Sequence, residues 1–155
     1  MSVRIPRGKY FEEFSLGQQA LSAGRTVTEA DIVAFAGLSG DFSEIHVNAE
    51  YARQGPFGQR VAHGLLGTSI AQGLLVQQGF MEGTVIAFRE LTCKFSLPVF
   101  IGDTLQASAA VAELKAVPRL GGGLVIFDIE ITNQNDKVVQ SGRWTVLVAS
   151  KPAVG

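Results

Sequence analysis

From Arg60 to Glu82 the chain reads RVAHGLLGTSIAQGLLVQQGFME, and the reading of this stretch decides the fold. Between those two residues nothing carries a formal charge except His63, neutral or protonated according to pH. A run of roughly twenty such residues is long enough to span a bilayer. However, Gly64, Gly67, Gly73 and Gly79 punctuate it, and Thr68, Ser69, Gln72, Gln77 and Gln78 would enter hydrocarbon without partners. The stretch therefore reads as a helix buried in a soluble protein, with no membrane span. It is apolar nearly all round, and each interior glycine costs up to about 1 kcal/mol relative to alanine, so the helix is expected to need close packing on most sides.

The residues that follow are suited to supply that packing. Four β-like runs, GTVIAFRELTCKFSL, DTLQASAAVAELKAV, GLVIFDIEITNQ and KVVQSGRWTVLVAS, are separated by the turn signals PVFIGD, PRLGGG and NQND. The last three are joined by connections short enough for antiparallel neighbours. In the third run Val125, Phe127, Ile129 and Ile131 alternate with Asp128, Glu130 and Thr132, the pattern of a sheet with one buried and one wet face. These facts predict an α+β, hot-dog arrangement: an antiparallel sheet wrapped around one long central helix.

Upstream, QQALSAGRTVT reads as a strand. Thr28 with Asp31 three residues on is a variant of the capping box and opens a short helix with Ile32, Val33, Phe35 and Ala36 on one side. Ser39 and Gly40 stop it, which places Asp41 to His46 on a loop just past a helix C-terminus. Asn48 is a cap for a second short helix, AEYARQ, ended by Gly55 and Pro56. These short helices form an overhang between the first strand and the central helix. No repeat or linker divides the chain, so a single domain over residues 1–155 is expected.

Composition narrows the functional classes. Apolar residues make up 46% of the chain and charged residues 17%, with a net charge of -1, so disorder is disfavoured and a nucleic-acid partner has no electrostatic support. The single cysteine, Cys93, forms no internal disulfide, and MSVRIPRGKYFEEF lacks a signal-peptide core, which together suggest a cytoplasmic protein. Cys93 lies in a β-run with no histidine near it in sequence and reads as a small strand residue rather than a nucleophile. Two histidines without a ligand cluster fall short of a metal site. Asp41 and His46 are the candidate acid–base pair, although on residue chemistry alone Asp41 is as readily a turn residue and His46 a satisfied core histidine.

The segments GDFSEIH (residues 40–46), VAHGLL (61–66) and KFSLPVFIGD (94–103) together resemble the MaoC-like, or (R)-specific enoyl-CoA hydratase, family of hot-dog dehydratases. The resemblance implies that Asp41 and His46 are the catalytic pair and that the Gly64 N–H binds the thioester oxygen. It leaves His63 a structural residue packed at the helix start and bonded locally. It also implies hydration of a trans-2-enoyl-CoA, or the reverse dehydration, with no metal or redox cofactor. The acyl-CoA is the substrate, and the chain is at least a homodimer, with Phe42, Phe57 and Phe80 as candidate tunnel residues. Ser43 and Glu44 stand where the family has asparagine and proline, so the loop is expected to lose an orienting amide and to gain flexibility and a carboxylate. Gln72 stands where the family often has a serine. A hot-dog thioesterase and a non-catalytic acyl-binding or assembly subunit are the competing readings.

Overall fold

The chain, seen in a computed structural model that describes residues 7–153, alternates short elements with turns at the places the glycines and prolines mark. In order these are strands β1 (Gln19–Leu21) and β2 (Arg25–Thr26), helices α1 (Glu29–Ser39), α2 (Glu44–Val47), α3 (Ala49–Gln54) and α4 (Gly64–Val76), and strands β3 (Val85–Leu91), β4 (Lys94–Phe95), β5 (Thr104–Val117), β6 (Gly122–Thr132) and β7 (Val138–Ala149). The strands form one antiparallel sheet in the order β1-β5-β6-β7-β3, with β2 also on β5 and β4 also on β7. This is the α+β, hot-dog arrangement expected, with α4 as the central helix.

α4 forms in spite of its glycines because of what it buries. Leu66, Ile70, Leu74 and Leu75 are buried against Leu105, Ala107, Ala109, Val125, Phe127 and Ile129 of the sheet. Each such side chain contributes about 1.5–3 kcal/mol, which outweighs the cost of up to about 1 kcal/mol for each of Gly64, Gly67 and Gly73. Packing covers less of the helix than its composition suggests, because Leu65, Ser69, Gln72 and Val76 form an open stripe. No described helix is long and apolar enough to cross a membrane; α4 ends after 13 residues.

Two expected strands are each broken in two, with local causes. The first run splits at Ser22, whose hydroxyl accepts the Ala107 N–H at 2.9 Å and whose own N–H donates to the Ala107 carbonyl. The run from Gly83 to Leu97 splits at Thr92 and Cys93, where β7 crosses so closely that a Cβ on Gly142 would lie 1.9 Å from the Thr92 carbonyl oxygen. Cys93 is consequently outside a regular strand. The β6 reading holds: Val125, Phe127, Ile129 and Ile131 are buried, while Asp128 and Glu130 are exposed.

The overhang keeps its predicted punctuation. The Thr28 hydroxyl accepts the Asp31 N–H, and the Asp31 carboxylate accepts the Thr28 N–H at 2.8 Å, closing the capping box. Gly40 ends α1 in the left-handed region at φ 77°, where a side chain would be strained. Asn48 accepts the Tyr51 N–H at 3.1 Å as the cap of α3. One correction is needed. His46 lies on the one-turn helix α2, closed by the Asn48 N–H on the Glu44 carbonyl, and not on an open loop.

Candidate active site

The chain doubles back between α2 and α4, and three backbone links fix how close the two come. The Val61 N–H donates to the Ile45 carbonyl at 3.1 Å, and the Ala62 N–H donates to the Val99 carbonyl at 2.7 Å. Val61 and Phe100 also form an antiparallel bridge. The segment KFSLPVFIGD is thus the brace that holds the start of α4 beside α2. Its end is secured by buried Asp103, whose carboxylate accepts the Phe100 N–H and the Gln134 amide, each at 2.8 Å.

Asp41 and His46 are brought together: Asp41 Oδ2 lies 3.9 Å from His46 Nε2. His46 is buried, and its Nδ1 is 2.7 Å from the Val61 carbonyl oxygen. A carbonyl only accepts, so in the neutral ring Nδ1 holds the hydrogen and Nε2 presents a lone pair towards Asp41. Asp41 is more open, and its two oxygens are differently occupied. Oδ1 accepts the Ser43 hydroxyl and the Ser43 N–H, the latter at 3.1 Å, which leaves Oδ2 to face the histidine. The Ser43 hydroxyl and then its N–H hold the Asp41 carboxyl below the usual carboxylate range; desolvation opposes them, and charge on His46 and His63 pulls the same way.

The expected loss of an orienting group at Ser43 is therefore corrected. Serine supplies two donors to Asp41, and the Glu44 carboxylate turns away to accept the Asn48 amide at 3.0 Å. The reading of His63 also changes. Its Nε2 is 2.9 Å from the Asp41 carbonyl oxygen, a bond across 22 residues that ties the aspartate loop to the start of α4. Its ring stacks on that of His46 with centroids 3.8 Å apart and lies 5.0 Å from that of Phe35.

Asp41, His46 and His63 bring ligand-capable atoms within 4.8 Å of one another, a cluster that spacing in the sequence did not reveal. The arrangement places an imidazole and a carboxylate close enough to share a proton through one water. Within it the two imidazoles are stacked, 27° apart in plane, and each already spends a ring nitrogen on a backbone carbonyl.

Gly64 opens α4. The Leu66 and Gly67 N–H groups turn back to the His63 carbonyl, and His63 gives the turn no side-chain cap, which leaves the first N–H groups available to an outside acceptor. A Cβ on Gly64 would lie 2.6 Å from Phe95 Cε1, so a side chain here would displace the Phe95 ring or the helix start. His46 and Gly64 together line a cleft of about 500 Å³, with Ile45, Phe57, Phe95, Pro98 and Gln140 among its walls. A second cleft of about 610 Å³ runs along the open stripe of α4, past Phe35, Leu65, Ser69, Gln72, Phe88 and Trp144. Of the aromatic candidates for the tunnel, Phe57 lines the first cleft. Phe80 lines an inner cavity of about 90 Å³ that also touches Gln72, Phe88 and Trp144, while Phe42 points outward at 60% exposure.

Similarity to known proteins bears on the family and the fold. A family model described as the MaoC like domain matches residues 13–123. The chain is 36% identical over 142 residues to an (R)-specific enoyl-CoA hydratase of Rhodospirillum rubrum, covering 92% of this chain and 93% of that one. It is 35% identical over 104 residues to the (R)-specific enoyl-CoA hydratase of Aeromonas caviae, covering 67% of this chain and 75% of the relative. The crystal structure of a MaoC-like dehydratase from Rhodospirillum rubrum superposes with a TM-score of 0.82 at 28% identity, over 94% of this chain and 99% of that one.

Proposed function

The chain belongs to the MaoC-like domain family, and from that premise we propose that it adds water to trans-2-enoyl-CoA to give (R)-3-hydroxyacyl-CoA, and runs the reverse dehydration, with Asp41 and His46 as its acid–base pair. It is a hydro-lyase, as its relatives' names describe. The observation that carries the assignment of residues is the 3.9 Å approach of Asp41 Oδ2 to His46 Nε2, beside the uncapped start of α4.

A water molecule held between these two atoms has a base on one side and an anion on the other. As its oxygen attacks C3 of the enoyl group, His46 Nε2 takes one of its protons and the ring becomes an imidazolium, held by the Asp41 carboxylate. The electron pair of the C2–C3 bond moves toward the thioester, whose oxygen gains charge and accepts the Gly64 N–H. The imidazolium then returns the proton to C2, so both new bonds form on the face of the acyl group turned to His46. Ser43 keeps Asp41 ionised and fixes which of its oxygens faces the reaction. His63 supports both groups, through its stacking and its bond to the Asp41 carbonyl.

The edge strand β3 supports a homodimer. It ends the sheet and leaves Val85, Ile86, Phe88 and Leu91 between 41% and 49% exposed, an apolar edge that a second copy would cover by extending the sheet. A lone free thiol at Cys93 supports a cytoplasmic setting.

The test is to give the purified protein a short trans-2-enoyl-CoA and follow the enoyl absorbance and free thiol together. The expected result is loss of the enoyl signal without thiol release, falling about 10²- to 10⁴-fold in Asp41→Asn and in His46→Gln. Thiol release would identify a thioesterase, and turnover untouched by both substitutions would remove these residues from the mechanism.

A further inference from the structure

Gln140 reaches from the sheet to the start of α4 and uses both ends of its amide there, at Gly64 and Thr68. It is 2% exposed, follows Val139 and pairs with Ile131 and Phe95 on the flanking strands. Its Nε2 donates to the Gly64 carbonyl at 2.9 Å, and its Oε1 accepts the Thr68 hydroxyl at 3.0 Å. Gly67, between these two, has no side chain where the amide lies, and a Cβ there would stand 2.5 Å from Nε2. Three positions of one helical turn are thus fitted to a single glutamine.

The backbone of β7 is irregular at the place that lets this happen. Ile131 pairs with Gln140 and Thr132 with Val138, so Val139 is the extra residue of a bulge. Without it, alternation would send Val139 and Gln140 to opposite faces; with it, both are buried. Burying an amide in an apolar core is costly unless its donor and acceptor are used, and here one of each is. The turn that receives it is intrinsically weak, with glycine at 64 and 67 and no side-chain cap from His63. It is also the turn whose free N–H groups face the cleft.

From these facts we infer that Gln140 is a positioning residue for the thioester-oxygen site: it braces, through the Gly64 carbonyl and the Thr68 hydroxyl, a helix start whose N–H groups stay uncapped, and so fixes where the Gly64 N–H points. The inference rests on the reading of Gly64 given above. It predicts that the amide acts on the charge-developing step and little on substrate affinity, because its two bonds are made to the helix and not to the acyl-CoA.

The test uses Gln140→Met, which keeps the length and removes both bonds, Gln140→Glu, which when ionised accepts from Thr68 and has no hydrogen for Gly64, and Thr68→Val, which leaves the Gly64 bond and removes the far one along with the 3.5 Å contact to Cys93 Sγ. Two quantities are read. One is kcat and KM for a short enoyl-CoA. The other is the absorption of bound 2,4-hexadienoyl-CoA in a His46→Gln background, where a donor at the thioester oxygen polarises the diene and moves its band to the red. The expected result is a red shift in the parent protein that is largely lost in Gln140→Met and Gln140→Glu, with kcat lower by about ten- to a hundredfold and KM little changed. Thr68→Val should lie between these and the parent, and it covers the case in which a Gln140 variant does not fold. A parent complex with no red shift would overturn the Gly64 reading and this inference with it. A red shift and kcat retained in Gln140→Met, or retained in Thr68→Val where the Gln140 variants do not fold, would overturn this inference alone.

Discussion

Replacing Gly64 by alanine keeps the backbone N–H assigned to the thioester oxygen, so it asks whether geometry at that residue matters apart from chemistry. The added Cβ would stand 2.6, 2.9 and 3.1 Å from three ring carbons of Phe95. The nearest is roughly 0.9 Å inside the optimum for two carbons, so the ring or the helix start must move by about that much. Phe95 is 52% exposed and has solvent to swing into, which places the overpacking cost near the low end of about 1–3 kcal/mol. The gain from replacing a helical glycine, up to about 1 kcal/mol, offsets most of it. The melting temperature should therefore change by only a few degrees, at about 2–4 °C per kcal/mol for a chain of this size. Activity should not be spared, because a misplacement of about 1 Å beside the reacting atoms costs on the order of 10²-fold. The assay is kcat/KM for a short enoyl-CoA in Gly64→Ala, in Phe95→Ala and in the double variant, with melting curves for each. The double variant should perform close to Phe95→Ala, because the clash is gone. A Gly64→Ala enzyme of near-parental kcat/KM, or a loss that persists in full in the Phe95→Ala background, would refute the reasoning.

Two more outcomes follow from the geometry. Ser43→Ala removes the leading cause that holds the Asp41 pKa low, so that pKa should rise toward the ordinary carboxylate value. Asp41 must be ionised to hold the imidazolium, and the acid limb of the kcat/KM profile should move to higher pH with activity near neutrality least affected; an unmoved acid limb would count against Ser43 as the orienting group. Gly142→Ala places a Cβ 1.9 Å from the Thr92 carbonyl oxygen, where backbone and not a flexible side chain must yield. It should destabilise by at least about 1–3 kcal/mol and lower the melting temperature by several degrees, whereas an unchanged melting curve would contradict the crossing of β7 at the β3–β4 break.

The elements of this fold were legible where periodicity and punctuation agreed. The alternation of Val125 to Ile131, the capping box at Thr28 and Asp31, and the glycine stop at Gly40 are local rules, and the local backbone obeys them. What the sequence hid depends on contacts between distant segments. The breaks at Ser22 and at Thr92–Cys93 come from neighbouring strands, and no propensity marks them. At the site, Asp41, His46 and Gly64 could be named from their motif. The part of His63 could not, because its partner is a carbonyl 22 residues away and any residue at 41 would supply one. Ser43 was read as a loss because residue identity alone does not show that a hydroxyl and an N–H reach the same carboxylate oxygen. Gln140 carries no signal of its own, because it stands between two valines and Ser141, Gly142 and Arg143, and the bulge at Val139 defeats any argument from alternation.

The groups proposed to react all come from the stretch between Asp41 and Gly64, while the inner cavity beneath α4 is walled mainly by residues that lie after it, including Phe80, Phe88, Ala109, Phe127, Ile129 and Trp144. A chain built this way separates two inheritable traits. If the inner cavity receives the acyl tail, variation confined to its wall would alter which tails fit without touching Asp41 or His46, and a gene library restricted to those codons would sample specificity while leaving the proposed chemistry constant. Gln72, Phe88 and Trp144 border both the inner cavity and the open cleft along α4, so a change at any of these three would reshape two spaces at once.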